Sequence, residues 1–323
     1  MELIKRGATV ALGLALLTQT TMTLAQEARF SNEAIWASGT FRTEYVWGIR
    51  SMADGKHYTT QEYDEAQGSC IVKWSYKTGL VVDTLLTSIK AFDDPREFFG
   101  GYEFSSDERF VVLTTASEGL YRHSFYANFY VYDFESDSEA RPITDFSLGK
   151  QRLAQLSPAG DKVAFVRDNN IFISDLATGA EVQVTDDGET NAIINGATDW
   201  VYEEEFGNDQ GLFWNADGSR LAYLKFDESN VREFHMPVYG SLYPDPYTFK
   251  YPKAGEDNSE VSVHIYSLQN NVNKAVAVPK SAYYIPRIKW TNDAETLCIF
   301  TMNRHRNDLR LLLTDGEFPN NRL

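Results

Sequence analysis

The sequence offers few metal ligands and little sulfur. Its 323 residues hold two cysteines, Cys70 and Cys298, far apart and each in a strand-like apolar setting, with no C-x-x-C and no H-E-x-x-H. The five histidines, His57, His123, His235, His264 and His305, are scattered. A zinc site needs clustered nitrogen and sulfur ligands, so neither a structural zinc nor a zinc protease is expected, and nothing calls for another cofactor. A Cys70–Cys298 disulfide and a pair of buried free thiols both remain open. Positive charge is also short: 30 Lys and Arg stand against 46 Asp and Glu, a formal net charge of -16. Phosphate binding needs a basic face, so a nucleic-acid partner is excluded, whereas a cationic ligand suits the balance. Helical periodicity is missing from every long stretch, and no apolar run is long enough for a comfortable membrane-spanning helix.

What is present begins with a leader. Lys5 and Arg6 precede an apolar run from Ala8 to Leu17, and Thr23-Leu24-Ala25 ends in small residues suited to cleavage. Residues 1–25 thus read as a signal peptide, with Gln26 opening the mature region 26–323 and a net charge of -17 after removal. Export to a periplasmic or extracellular compartment is expected, with an uncleaved membrane anchor as the alternative. The full sequence is 43% hydrophobic and 14% aromatic, a folded composition.

Phe30 to Ile35 suggests one or two helical turns. After it come short segments rich in Val, Ile, Tyr and Phe between Gly, Asp, Asn and Ser clusters. They are Cys70–Tyr76, Leu80–Leu86, Phe110–Thr115, Phe125–Phe134, Lys162–Arg167, Ile171–Asp175, Arg220–Phe226, Glu260–Ser267 and Thr296–Met302. One phrase recurs: an aromatic residue or Leu, a polar turn, then an apolar strand. Phe104-Ser105-Ser106-Asp107-Glu108-Arg109-Phe110 returns as Leu156-Ser157-Pro158-Ala159-Gly160-Asp161-Lys162 and as Trp214-Asn215-Ala216-Asp217-Gly218-Ser219-Arg220. A worn copy starts at Trp290. The copies begin at 104, 156, 214 and 290, spaced by 52, 58 and 76 residues. Several are followed by a second strand with a common ending: Tyr132-Asp133-Phe134, Ser174-Asp175-Leu176 and Ser267-Leu268. A several-stranded unit repeating near this period predicts an all-β fold of propeller blades, because each small sheet must stack on its neighbours to bury its faces. A β-sandwich has no reason to repeat the phrase. Asp227 to Gly255, with its Tyr/Pro-rich centre Tyr239–Tyr247, reads as a long blade connection, where functional residues concentrate.

Just before the third copy stands Asp199-Trp200-Val201-Tyr202-Glu203-Glu204-Glu205. On a turn or helix, neighbours about 100° apart cannot all face water, so at least one carboxylate must lie against the protein. Crowded carboxylates repel unless a cation sits among them, which makes the cluster a receptor for a positive group. A solvated acidic turn is the alternative.

This segment closely resembles the hallmark of the dipeptidyl peptidase IV family, the S9B prolyl dipeptidases. Leu221-Ala222-Tyr223, Tyr251-Pro252-Lys253-Ala254-Gly255, Ile285-Pro286-Arg287-Ile288-Lys289-Trp290-Thr291 and Asn303-Arg304 follow at similar spacing. Upstream, Tyr121-Arg122-His123-Ser124-Phe125 and Tyr130-Val131-Tyr132-Asp133 resemble the family's arginine-bearing loop. The likeness covers essentially the whole mature chain. It implies an eight-bladed propeller capping an α/β-hydrolase domain, with substrate held between them. Glu204 and Glu205 would bind the free amino terminus of a peptide, and Arg122 would grip the carbonyl of its penultimate residue. Trp200, Tyr202 and Glu203 would support that turn. Charge-assisted hydrogen bonds and the planar arginine fork suit these tasks. The resemblance further implies a serine exopeptidase releasing X-Pro or X-Ala dipeptides, and a homodimer for a full-length parent.

The family nucleophile sits in a G-x-S-x-G elbow, followed by Asp and His. No G-x-S-x-G occurs in these 323 residues, nor any long βαβ region. The expectation is a partial β-propeller of about four to five blades, without hydrolase domain or catalytic residues, ending in the patternless tail Thr314–Leu323. An open terminal sheet face should be poorly soluble or partly unfolded. Two other classes stay in view: a stand-alone propeller that binds peptides, and a β-rich glycosidase. Adjacent Glu residues sit too close in sequence to flank a sugar bond readily.

Overall fold

The computed structural model describes residues 30–43, 45, 48–136 and 138–314; the leader 1–25 and the tail 315–323 lie outside them. The chain divides into two compact units, residues 1–47 and residues 48–323. In the first, a turn of π-helix spans Glu33–Ala37, a few residues beyond the helical turn expected at Phe30–Ile35.

The second unit is a run of antiparallel sheets. The first holds β1 (Arg50–Ser51), β2 (His57–Asp64), β3 (Gly68–Ser75) and β4 (Val81–Thr87), in that order, and leads into the short helix α1 (Ser88–Phe92). The second holds β5 (Phe99–Phe104), β6 (Phe110–Gly119), β7 (Phe125–Asp133) and β8 (Arg141–Pro142). In the third, β9 (Arg152–Leu156), β10 (Lys162–Arg167), β11 (Asn170–Asp175) and β12 (Glu181–Gln183) pair consecutively. The fourth is interrupted. Its first edge is made of two pieces, β13 (Ile193–Asn195) and β14 (Leu212–Trp214), with the helix α2 (Trp200–Phe206) between them. Both pieces pair with β15 (Arg220–Asp227). A separate hairpin, β16 (Glu233–Val238) with β17 (Asp245–Lys250), precedes the sheet's last strands, β18 (Glu260–Ser267) and β19 (Val272–Val276). The fifth sheet is β20 (Tyr284–Trp290), β21 (Leu297–Met302) and β22 (Leu309–Thr314).

The recurring phrase is one turn built repeatedly. Ser105, Ser157 and Asn215 each donate their backbone N–H to the carbonyl five residues on, and each accepts that residue's N–H on a side-chain oxygen. Thr291 keeps the backbone bond, but its hydroxyl instead accepts from Asp293 N. Three residues into the turn the backbone is left-handed, at Gly160 (φ 70) and Gly218 (φ 71), the conformation glycine adopts without steric cost. Glu108 stands at the same place in the first copy with φ 60. The common strand endings are fixed by matching bonds: Phe134 N to Arg109 O, Leu176 N to Asp161 O, and Leu268 N to Ser219 O. The first sheet carries no copy of the phrase and was not legible as a repeat.

Alternation along the strands explains the stacking. In β6, Val111 and Leu113 join Ile71, Leu86 and Phe99 in one core, while Val112 joins Phe165 and Phe172 in the next. In β10, Val163 and Phe165 face back to that second core, and Ala164 and Val166 enter a third shared with the fourth and fifth sheets. Side chains that alternate across a strand thus feed two interfaces at once. These stacked sheets form a partial β-propeller.

The segment expected as a long blade connection, Asp227–Gly255, contains the β16–β17 hairpin, with the Tyr239–Tyr243 tip largely exposed. Cys70 is buried in the first sheet, Cys298 lies partly exposed in the fifth, and both are free thiols.

Candidate functional site

The acidic segment forms α2, an excursion from the edge of the fourth sheet. The chain leaves at Gly196 and returns at Gly211, which are joined by Gly211 N to Gly196 O at 3.0 Å. A Cβ on Gly196 (φ 77) would meet Ile171 Cγ1 at 2.8 Å, and one on Gly211 would meet the Gly196 carbonyl at 3.0 Å. Two glycines therefore let the neck close and hand both ends to β15.

Caps and burial hold the helix. Asp199 is the N-cap: its Oδ1 accepts from Tyr202 N at 2.9 Å, and its Oδ2 accepts from Ser259 Oγ at 2.6 Å. Burial pushes its carboxyl pKa upward against those hydrogen bonds. Gly207 closes the C-terminus in left-handed conformation. Tyr202 is buried with its ring edge on Phe226, and its hydroxyl accepts from Ile285 N at 2.8 Å, fastening α2 to the fifth sheet. Trp200 lies against Tyr251, ring centroids 4.3 Å apart.

The three glutamates have three different environments. Glu203 is fully buried, and its Oε1 accepts from the backbone N–H groups of His123 at 2.5 Å and Ser124 at 2.9 Å. It thereby clamps the loop between β6 and β7 that carries Arg122. The side chain of Glu204 is 19% exposed, and Arg122 Nε donates to both of its oxygens at 3.0 and 2.9 Å. Glu205 is 48% exposed and accepts from Arg306 Nη1 at 3.2 Å. The Arg306 guanidinium also lies over the rings of Phe206 and Tyr284, at 5.2 and 5.4 Å. A groove of about 310 Å³ runs beside Glu205, between Trp200, Tyr251, Tyr284 and Arg304.

The fold thus brings together Glu203, Glu204, Glu205 and Arg122, more than 80 residues apart in sequence, with Trp200 and Tyr202 on the same helix. Arg122 is 67% exposed, so solvent screens its pair with Glu204 and a second cation can compete for the carboxylate. Glu203 is different: it satisfies two backbone donors in a buried setting, where each unmet donor costs about 1–3 kcal/mol. Arg306 and Ser259 join the site without having been singled out in sequence. Arg306 lies two residues past Asn303-Arg304, and nothing local marks it. Among the described residues, no group of three or more His, Cys, Asp and Glu side chains is arranged to hold a metal ion.

A family model described as "Dipeptidyl peptidase IV (DPP IV) N-terminal region" matches residues 105–322. The probable dipeptidyl-aminopeptidase B of Talaromyces marneffei is 33% identical over 229 residues, covering 65% of this chain and 25% of that protein. Dipeptidyl peptidase 4 of Trichophyton tonsurans is 31% identical over 258 residues, covering 77% and 31%. The chain therefore spans about a quarter to a third of the curated relatives it matches. Among solved structures, Porphyromonas gingivalis dipeptidyl peptidase 4 superposes with a TM-score of 0.81 at 43% identity, covering 90% of this chain and 40% of that one. A putative dipeptidyl aminopeptidase IV from Bacteroides ovatus, 21% identical with a TM-score of 0.59, shares the fold.

Proposed function

The chain belongs to the dipeptidyl peptidase IV family, and from that premise we propose that α2 is the receptor for the protonated amino terminus of a peptide substrate. Glu204 and Glu205 accept the ammonium, and Arg122, anchored beside them, donates to the carbonyl of the penultimate residue. The observation that carries this reading is the grading of the three glutamates. Glu203 is spent on holding the Arg122 loop, while Glu204 and Glu205 stand partly open, each already bonded to a cation. An ammonium seated there fixes the distance from the peptide end, so cleavage falls after the second residue. The role is the substrate-binding part of an exported serine exopeptidase that releases X-Pro or X-Ala dipeptides, the nucleophile coming from a hydrolase domain. These 323 residues contain no G-x-S-x-G elbow, so the chain alone is expected to be inactive.

Two measurements test this. Isothermal titration of the chain with Gly-Pro-Gly amide should show binding that weakens at least about tenfold in Glu204→Gln or Glu205→Gln, and likewise when the amine is acetylated. Equal binding of the free and acetylated peptides would overturn the receptor role. Release of p-nitroaniline from Gly-Pro-p-nitroanilide should stay at background; turnover by the purified chain would show that it carries its own nucleophile.

A further inference from the structure

A cavity of about 430 Å³ adjoins the same loop but has neither Arg122, Glu204 nor Glu205 in its wall. It lies among β5, the start of β7, the start of β9 and the turn after α2, with Ser124, Arg152, Asp209 and Glu103 among its lining. Arg152 is the unusual member. It is 4% exposed, yet its guanidinium makes one long hydrogen bond, Nη2 to Thr198 O at 3.4 Å, and no ion pair among the described residues. Guanidinium groups carry five donors and are almost never buried without a partner. Burial pushes the pKa of this one down, with Tyr126, Tyr121, Glu203 and Asp209 nearby pulling the other way. The Ser124 hydroxyl, on the same wall, is buried and has no hydrogen-bond partner.

The backbone at Arg152 is irregular as well. Phe165 and Val166 of β10 face Ala154 and Arg152, so Leu153 is the extra residue of a bulge. It sits at φ 55, a left-handed conformation that a branched side chain rarely adopts. Bulges of this kind interrupt strand alternation and re-aim a neighbouring side chain. Strain persists where the surroundings over-determine it, and such sites tend to be functional.

We propose that this cavity is a second binding site, which takes the carboxylate of a peptide-sized ligand on the Arg152 guanidinium, with the Ser124 hydroxyl as an additional donor. The planar fork matches a carboxylate's two oxygens. Asp209 on the same wall repels a dianionic phosphate more strongly than a singly charged carboxylate, while Arg50 lines the wall beside Glu103, whose pKa burial raises. The volume falls in the usual range for a small-molecule pocket. The site is distinct from the ammonium receptor and uses none of its carboxylates.

Titration with N-acetyl-Gly-Pro acid and with its amide tests the assignment, because acetylation removes the ammonium and leaves the Glu204–Glu205 reading untouched. The acid should bind at least about tenfold tighter than the amide, and Arg152→Gln should remove that preference. An acid much tighter than acetate assigns the site to a peptide terminus, whereas comparable acetate binding assigns it to any small carboxylate. Equal affinity for acid and amide, no binding of the acid at millimolar concentration, or tighter binding of inorganic phosphate would each overturn the proposal. Should Arg152→Gln not fold, the acid–amide comparison on the unaltered chain decides.

Discussion

At the scale of single residues, the buried charges behind α2 set the chemistry that can be measured. Removing the Glu203 carboxylate leaves two backbone donors of the Arg122 loop unmet, so Glu203→Ala is expected to cost about 2–5 kcal/mol. Urea unfolding should show that loss, and free-amine peptide binding should weaken with it because Arg122 loses its mount. Glu228 gives a pH signature. Burial, reinforced by the charge of Asp199, pushes its pKa up to about 7, with Lys250 and Arg152 pulling partly against it. The folded state therefore keeps the Glu228 proton across the interval from about 4.5 to about 7, where the unfolded chain has released it. Stability from this group is full below that interval and is lost as pH rises through it, by up to about 3 kcal/mol. Asp199, also raised by burial, acts in the same direction. Unfolding midpoints at pH 5 and pH 8 should thus lie closer together in Glu228→Gln than in the unaltered chain. An unchanged separation would mean that Glu228 does not titrate in this range.

Elements show why a seven-residue helix can carry a site at all. Short helices are marginal on propensity, so α2 depends on its caps, on Tyr202 against the fifth sheet and on the glycine neck that returns the chain to β15. Gly196→Ala would place a methyl group against Ile171 in a left-handed backbone and should destabilise the fold by about 1–3 kcal/mol. The damage should appear first at the site, as faster amide exchange over 199–206. The phrase turns are a gentler test. Ser157 accepts from Lys162 N, so Ser157→Ala should cost about 1 kcal/mol, visible as a lowered unfolding midpoint with binding retained.

At the scale of the whole molecule, stacking leaves apolar side chains on the outer face of the fifth sheet. Leu309, Leu311 and Leu313 of β22 are 56%, 51% and 42% exposed, beside Met302, Phe300 and Cys298 on β21. A contiguous apolar face of this sort promotes association. Sedimentation velocity should show self-association growing with concentration, and Leu311→Ser with Leu313→Ser should reduce it. Concentration-independent monomers from the unaltered chain would refute the expectation.

The sequence by itself determined the repeating unit and the fold class. Turn oxygens at Ser105, Ser157 and Asn215, left-handed positions at Gly160 and Gly218, and two-residue alternation are local instructions, each satisfied within a few residues of its origin. The acidic run was legible as three consecutive carboxylates beside Trp200 and Tyr202, whereas its cap at Asp199 and its closing glycine Gly207 emerged only with the structure. In the first sheet β3 and β4 were legible as Cys70–Tyr76 and Leu80–Leu86, but β1, β2 and their place in the repeat escaped because they obey no repeated phrase. The β16–β17 hairpin escaped because Tyr and Pro at its tip mask the strands around them. Only the tertiary structure decided which glutamate is buried, which ones meet Arg122 and Arg306, and that Arg152 faces a cavity. Those outcomes depend on contacts between segments up to about 100 residues apart, and long-range burial and charge pairing leave no local trace in the chain.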